Sequence, residues 1–217
     1  MSIAPAKPAD PYIEVRLRMV ATQLRGRGIR DERVLQAMSV VPRHEFVPRE
    51  LWSEAYGDHP LPIGGGQTIS QPYIVALMIE ALAAEAADTV LEIGTGTGYE
   101  AAVLSRIAAR VLTVERIESL ASSARENFAR LGYHNIEVRV GDGSEGLPGS
   151  APCKRIIVAA AALTVPDALL RQLDENGRMV VPVGSADEQE LLLLRKSAGQ
   201  ITTTRLGGCR FVPLVGS

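Results

Sequence analysis

Val90-Leu91-Glu92-Ile93 runs directly into Gly94-Thr95-Gly96-Thr97-Gly98-Tyr99, and a helical pattern with Ala102, Val103 and Ile107 on one face follows. Nothing else in the chain constrains its fold so tightly. A short apolar strand, a glycine-rich turn and a helix open a β-α-β unit, and such units build parallel sheets. Glycines are needed where the backbone must turn tightly or let a ligand approach without a Cβ in the way. The helix start adds free N–H groups and a positive dipole end.

From Thr89 onward strands and helices alternate. Val90–Ile93, Val111–Val114, Ile136–Val140 and Ile156–Ala160 read as strands. Helices fall near Tyr99, over Ser119–Leu131 and from Pro166 through Ala168 to Leu173. Met179–Val183, Leu191–Leu194, a polar run near Thr202–Thr204 and Phe211–Leu214 then follow as strands with no helix between them. The expected fold is α/β, a Rossmann-like, mostly parallel, doubly wound sheet with an antiparallel C-terminal edge.

Upstream, Ile13, Leu17, Val20 and Leu24 recur at helical spacing until Gly26 and Gly28. Asp31 is placed to cap a second helix carrying Val34, Leu35 and Met38. Pro42, Pro48, Pro60 and Pro62 forbid a long helix between Val41 and Gly66. Ser70-Gln71-Pro72 opens a further helix with Ile74, Leu77, Met78 and Leu82 on one face. Residues 1–11 hold three prolines and read as a disordered tail. Residues 12–217 form a single domain, with 12–88 as its N-terminal helical and loop part and 89–217 as its core.

A length of 217 residues suits one domain. The net charge of −2 gives no electrostatic footprint for nucleic acid or anionic membrane. No apolar run reaches membrane-spanning length and no signal-peptide pattern opens the chain, so a cytoplasmic monomer is expected. Cys153 and Cys209 make neither a metal-ligand spacing nor a disulfide framework, and no metal is expected.

The glycine spacing is G-x-G-x-G, not the G-x-G-x-x-G of dinucleotide sites. Glu92, two residues before the first glycine, would repel a pyrophosphate and attract a cation. S-adenosylmethionine carries an ammonium and a sulfonium, so the charge pattern favours it, with Glu92, Gly94, Gly96 and Gly98 at the ligand. Glu115 ends the next strand, where an acid can take both ribose hydroxyls. Asp142, between Gly141 and Gly143, ends the one after and can accept from an adenine amino group.

The chain resembles the protein-L-isoaspartate (D-aspartate) O-methyltransferases from about Met19 to Gly216. Val41-Pro42-Arg43-His44, Pro60-Leu61-Pro62-Ile63-Gly64, Gly66-Gln67-Thr68-Ile69-Ser70-Gln71-Pro72, Gly141-Asp142-Gly143 and Phe211-Val212-Pro213-Leu214 occur in family order. The glycine loop marks the wider superfamily of class I S-adenosylmethionine-dependent enzymes. The Thr68-Ile69-Ser70 segment marks this family.

The resemblance implies a methyltransferase core with added N-terminal helices, acting on isoaspartyl peptides and proteins and starting their repair through a succinimide. A relative dedicated to an aspartate of one partner is the alternative. It further implies that Gly94, Gly96, Glu115, Asp142 and Gly143 hold the cofactor, with Arg116 and the segment Gln67, Thr68, Ile69 and Ser70 beside it. Ser70 would be the active-site hydroxyl, while Ile63, Gly64, Thr68, Phe211, Val212 and Leu214 would border the peptide. Ser70 also has a plain structural reading, as N-cap of the helix that follows. Two departures stand out. Cys153-Lys154 replaces the family's aromatic and acid, and Ala159 stands where a threonine often follows the valine. Lys154 should lie at the strand end remote from the cofactor. His44, His59 and His134 have no nucleophile or metal spacing near them, and Trp52 and Tyr56 read as a packing pair.

Overall fold

The computed structural model describes residues 10–216. In chain order its elements are α1 (Ile13–Arg18), α2 (Glu32–Val40), β1 (Leu61–Gly64), β2 (Gln67–Ile69), α3 (Pro72–Leu82), β3 (Thr89–Ile93) and α4 (Tyr99–Leu104). Then come β4 (Arg110–Glu115), α5 (Glu118–Leu131), β5 (Ile136–Val140), β6 (Cys153–Val158), α6 (Asp167–Gln172), β7 (Leu173–Gly184), β8 (Gln189–Ser197) and β9 (Gln200–Cys209).

Seven strands form one sheet in the order β5-β4-β3-β6-β7-β8-β9. β3 to β7 are parallel, while β8 and β9 return as an antiparallel meander. The chain steps from β3 outward to β5, then crosses back to place β6 on the other side of β3. That reversal is the topological switch point, where open α/β sheets bind ligands at their strands' carboxyl ends.

Alternate strand residues feed two apolar layers. Val90, Val111, Ile157 and Val180 pack under α3, α4 and α5 in a cluster that also takes in Met19, Leu24, Leu35 and Met38 from the N-terminal helices. Leu91, Ile93, Leu112, Val114, Ile156 and Val158 face the other way, against Leu169 of α6 and Leu147 of the loop before β6. The sheet is thus covered on both sides, unequally.

Four local expectations change. The 1–11 tail falls outside the described residues as far as 9, while Asp10 is tied down by Arg16 Nη1 at 2.6 Å and the Tyr12 N–H at 2.9 Å. Ile13 and Leu17 are 48% exposed, so they do not share the buried face of Val20 and Leu24. Met19–Leu24 winds as a wider π-type helix, which rotates the core-facing set to Arg16, Met19, Val20 and Leu24. The proline-punctuated stretch ends in a two-stranded hairpin, with Leu61 opposite Ile69 and Pro62 opposite Thr68. Phe211–Leu214 is not a ladder strand: it bridges the segment after β6 at Ala161↔Pro213 alone, and the Gln189 side chain grips Phe211 at both N and O.

Candidate active site

The crevice opens where the switch point predicts. A cavity of about 260 Å³ is walled by Ile93 at the end of β3 and Gly94 after it, Val114 and Glu115 at the end of β4, Gly143 after β5, and Ala159 and Ala160 after β6. Gln67 and Thr68 of β2 close one side, and Val212–Val215 roof it. Arg116 donates to the Val215 carbonyl at 2.6 Å, fastening that roof.

The glycines divide the work. Gly94 and Gly96 line the crevice at φ +97° and +55°. Gly96 donates its N–H to Glu115 Oε2 at 2.8 Å, and the Ile117 N–H bonds Oε1 at 2.9 Å. A carboxylate offers about four acceptor sites, so Glu115 keeps capacity for two ribose hydroxyls. Gly143 must be glycine, because a Cβ there would fall 2.3 Å from Ile93 Cγ2. Asp142 is half-buried and its Oδ1 accepts from the Ser144 N–H and hydroxyl at 2.9 and 2.7 Å. A side-chain-free floor, Glu115 with two acceptor sites to spare and apolar walls together fit an adenosyl group carrying a ribose.

Of the residues expected at the cofactor, Ile69, Ser70 and Asp142 are not among this crevice's lining, and Glu92 and Gly98 lie elsewhere altogether. Glu92 pairs in register with Thr113, and strand alternation turns both under the sheet face covered by α4, away from the crevice side of Ile93. It is fully buried, accepts from the Thr113 hydroxyl, and sits below Thr95, whose hydroxyl is 2.6 Å from Thr113. Burial first, then the charge of Glu100, raises its pKa well above the carboxylate range. Gly98 is buried beneath α5, where a Cβ would strike Phe128 Cζ at 2.4 Å. It serves packing, not ligand approach.

The acceptor side is built by β2 and the start of α3. Ser70 does not cap α3: the N-cap is Gln71, with no side-chain cap bond of its own. Asp58 does that job from a distant turn, accepting from the Tyr73 N–H at 3.3 Å and from Gln71 Nε2 at 2.8 Å while paired with Arg27. Ser70's hydroxyl makes no hydrogen bond among the described residues. It opens instead into a second cavity of about 280 Å³, lined by Pro60, Thr68, Gln71, Ile74, Arg210, Phe211 and Val212 among others. Thr68 and Ala159 border both cavities, so this is where the two halves meet. Of the peptide-bordering set, Phe211 lines the second cavity, Ile63 and Leu214 the first, Thr68 and Val212 both, and Gly64 neither, at the end of β1 with φ +92°.

Lys154 is exposed and Cys153 buried at the far end of β6, as expected of that departure. Ala159, the other departure, stands at the junction itself. The rule that ligands gather at strand carboxyl ends could have found it; periodicity hid Asp58 and Glu100, which look like surface acids. His44 is a core residue. Its Nδ1 lies 2.7 Å from the Tyr56 hydroxyl and its ring packs 4.5 Å from Tyr12 and 5.0 Å from Trp52. Burial lowers its pKa. The packing pair expected of Trp52 and Tyr56 is therefore a four-ring cluster.

Comparison with known proteins agrees with this geometry. The family model for protein-L-isoaspartate (D-aspartate) O-methyltransferase matches residues 16–217. A protein-L-isoaspartate O-methyltransferase of Koribacter versatilis is 58% identical over 93% of this chain and 91% of its own length. One of Methanoculleus marisnigri is 54% identical over 96% and 94%. A solved protein-L-isoaspartate O-methyltransferase superposes with TM-score 0.82 at 32% identity, covering 93% of this chain and 66% of that one. A Plasmodium falciparum enzyme described by the same name, solved with S-adenosyl-L-homocysteine, gives TM-score 0.80 at 25% identity over 92% and 98%. With so much of its length matched, the chain belongs to the protein-L-isoaspartate (D-aspartate) O-methyltransferase family.

Proposed function

We propose that this protein methylates the free carboxylate of isoaspartyl residues in peptides and proteins, using S-adenosylmethionine. The observation that carries the assignment is the shared border of the two cavities at Thr68 and Ala159, with an unengaged Ser70 hydroxyl on the acceptor side.

The bound cofactor supplies an electrophilic methyl on a sulfonium, and loss of that methyl leaves a neutral thioether. The acceptor carboxylate, with a pKa of about 4, is already ionised at neutral pH. No general base is needed, and neither Thr68 nor Ser70 is one. Ser70 Oγ donates to one carboxylate oxygen and leaves the other as nucleophile. Phe211 and Val212 hold the peptide beside it, and Gly94, Gly96 and Glu115 hold the donor on the far side of Ala159. Alignment of this kind can lower a barrier by roughly 7–11 kcal/mol in favourable cases. The ester then leaves the site; the following backbone nitrogen displaces methanol, and the succinimide opens by hydrolysis.

Methyl transfer to an isoaspartyl peptide, compared with its aspartyl twin, tests this directly. Transfer to the isoaspartyl peptide alone is expected. Equal labelling of both, or of neither, would overturn the reading.

A further inference from the structure

A third, small cavity of about 40 Å³ lies under the glycine loop, between Gly94–Thr97 and Ser70. It has room for a water-sized polar group. Glu100 lines it. As the second residue of α4, Glu100 occupies a position where an acid ordinarily faces solvent and complements the helix dipole. Here it is 7% exposed, and its Oε1 has no hydrogen-bond partner among the described residues. Glu92, 0% exposed, is in a similar condition: Thr113 bonds one oxygen, Oε1 has no hydrogen-bond partner among the described residues, and only the Ala101 backbone N–H favours the charged form besides.

The surroundings offer these acids no counter-ion. Glu115 on β4 and Glu100 on α4 are the charges that act on Glu92, and both are negative. Burial is what raises Glu100, and the only acid it faces in return, among the described residues, is Glu92. Arg43, also fully buried, interacts with Tyr99, Tyr56 and Asp58 and with neither acid. From the β2–α3 side the cavity receives only neutral groups, Thr68, Ile69, Ser70 and Val75. Two ionised carboxylates with no counter-ion are strongly disfavoured in so buried a setting, so the pair retains a proton in the free protein. Burial pushes Glu100 up to about 8.

Gly94 and Gly96 wall both this cavity and the cofactor crevice. The one cation the reaction brings to that wall is the methionine end of the donor. We infer that Glu100 supplies a buried counter-charge for the cationic methionine end of S-adenosylmethionine, and that the Glu100–Glu92 pair releases a proton when the donor binds. The step balances simply: a carboxyl O–H breaks, the proton passes to buffer, and a carboxylate remains opposite the incoming cation. The inference rests on the cofactor assignment above.

The sign follows from linkage. Binding that favours the ionised form releases protons and tightens as pH rises toward the free-state pKa. Calorimetric titration of the full chain with S-adenosylmethionine at pH 7, in phosphate and in Tris, separates binding heat from buffer protonation heat. We expect release approaching one proton, and affinity rising roughly three- to tenfold per pH unit between about pH 6 and 8. Glu100→Gln should abolish most of the release and flatten the pH dependence. S-adenosyl-L-homocysteine, which keeps the ammonium but lacks the sulfonium, identifies the cation: release with both ligands assigns the ammonium, release with the donor alone the sulfonium. Equal binding heats in the two buffers, or release unchanged in Glu100→Gln, would overturn the inference while leaving the methyltransferase assignment intact. Absence of any binding heat, together with no methyl transfer, would instead remove the assignment beneath it.

Discussion

Gly98→Ala separates a glycine that serves the fold from those that serve the ligand. Gly98 is at φ +99°, ψ 11°, beyond the left-handed basin near φ +50 to +70° that other residues occasionally enter. Placing alanine there costs about 1–2 kcal/mol of backbone strain. Its Cβ would sit 2.4 Å from Phe128 Cζ and 2.6 Å from Cε1. The ring is 4% exposed and rests edge-on against Tyr133 at 6.1 Å, so it has little room to retreat. Overpacking of that kind costs about 1–3 kcal/mol more. The sum is roughly 2–5 kcal/mol, and at about 2–4 °C per kcal/mol for a chain of this size the melting temperature should fall by roughly 4–20 °C. Scanning calorimetry measures it. Phe128→Leu in the Gly98→Ala background should recover the steric share and leave the backbone share, a coupling of about 1–3 kcal/mol in a double-mutant cycle. Cofactor affinity of the folded variant should barely move. Gly96→Ala should behave oppositely: φ +55° is tolerable and its Cβ meets only the flexible Ile63 Cδ1 at 3.1 Å, but the added methyl enters the crevice. A Gly98→Ala melting temperature within about 2 °C of the parent, or strict additivity in the cycle, would refute the argument.

Ser70→Ala should slow single-turnover methylation by about 10–100-fold, the worth of roughly 1.4–2.8 kcal/mol, with the melting temperature nearly unchanged because Asp58 supplies the cap. Asp58→Ala should show the converse, losing about 0.5–2 kcal/mol of stability in denaturant titration. Glu115→Ala should weaken S-adenosylmethionine binding by about 1.5–3 kcal/mol in calorimetry, and it should also destabilise the free protein, since the Gly96 and Ile117 N–H groups lose their acceptor. Glu100 has a raised pKa, so its proton-bound form stabilises the fold fully below the unfolded value of 4.5, and that contribution is lost as pH rises through about 8. Without ligand, the melting-temperature advantage of Glu100→Gln over the parent should therefore grow from pH 6 to pH 8.5; a constant difference would show that Glu100 is ionised throughout.

The sequence exposed the fold where periodicity and punctuation agree. Asp31 caps α2 through Arg33 N–H, β5 spans the residues its pattern marks, and the G-x-G-x-G turn leads from β3 into α4. Errors arose where a different interaction overrode the pattern. The wide helical turn at Met19–Leu24 moved Ile13 and Leu17 off the core face. Phe211–Leu214 has an apolar strand-like pattern, but the Gln189 side chain and the Ala161 backbone satisfy its polar groups in place of a ladder. The hairpin was legible in principle, since Gly65-Gly66 sits between apolar runs and both residues have positive φ. Glu92 shows the limit of spacing arguments at a site. Its distance from Gly94 suggested a ligand contact, but period-two alternation means that if Ile93 faces the crevice, Glu92 cannot.

The N-terminal region is structurally part of the site. Thr97 Oγ1 donates to the Phe46 carbonyl at 2.6 Å, and Asn127 Nδ2 donates to the Thr97 carbonyl at 3.1 Å, so the glycine loop is gripped from both sides. Ile63 of the hairpin packs over Gly96, and Asp58 fixes where α3 begins. Apart from the Asn127 bond, each of these contacts joins a residue before Gly64 either to the glycine loop or to the helix following Ser70. The proline-punctuated turns make these ties, because prolines at 42, 48, 60 and 62 hold the backbone in shapes whose carbonyls and side chains remain free to bond elsewhere. The Phe46 carbonyl and the Asp58 carboxylate are two such groups. Loosening either should disturb donor and acceptor sides together, since Thr68 and Ser70 are held between the segments these two groups tie down.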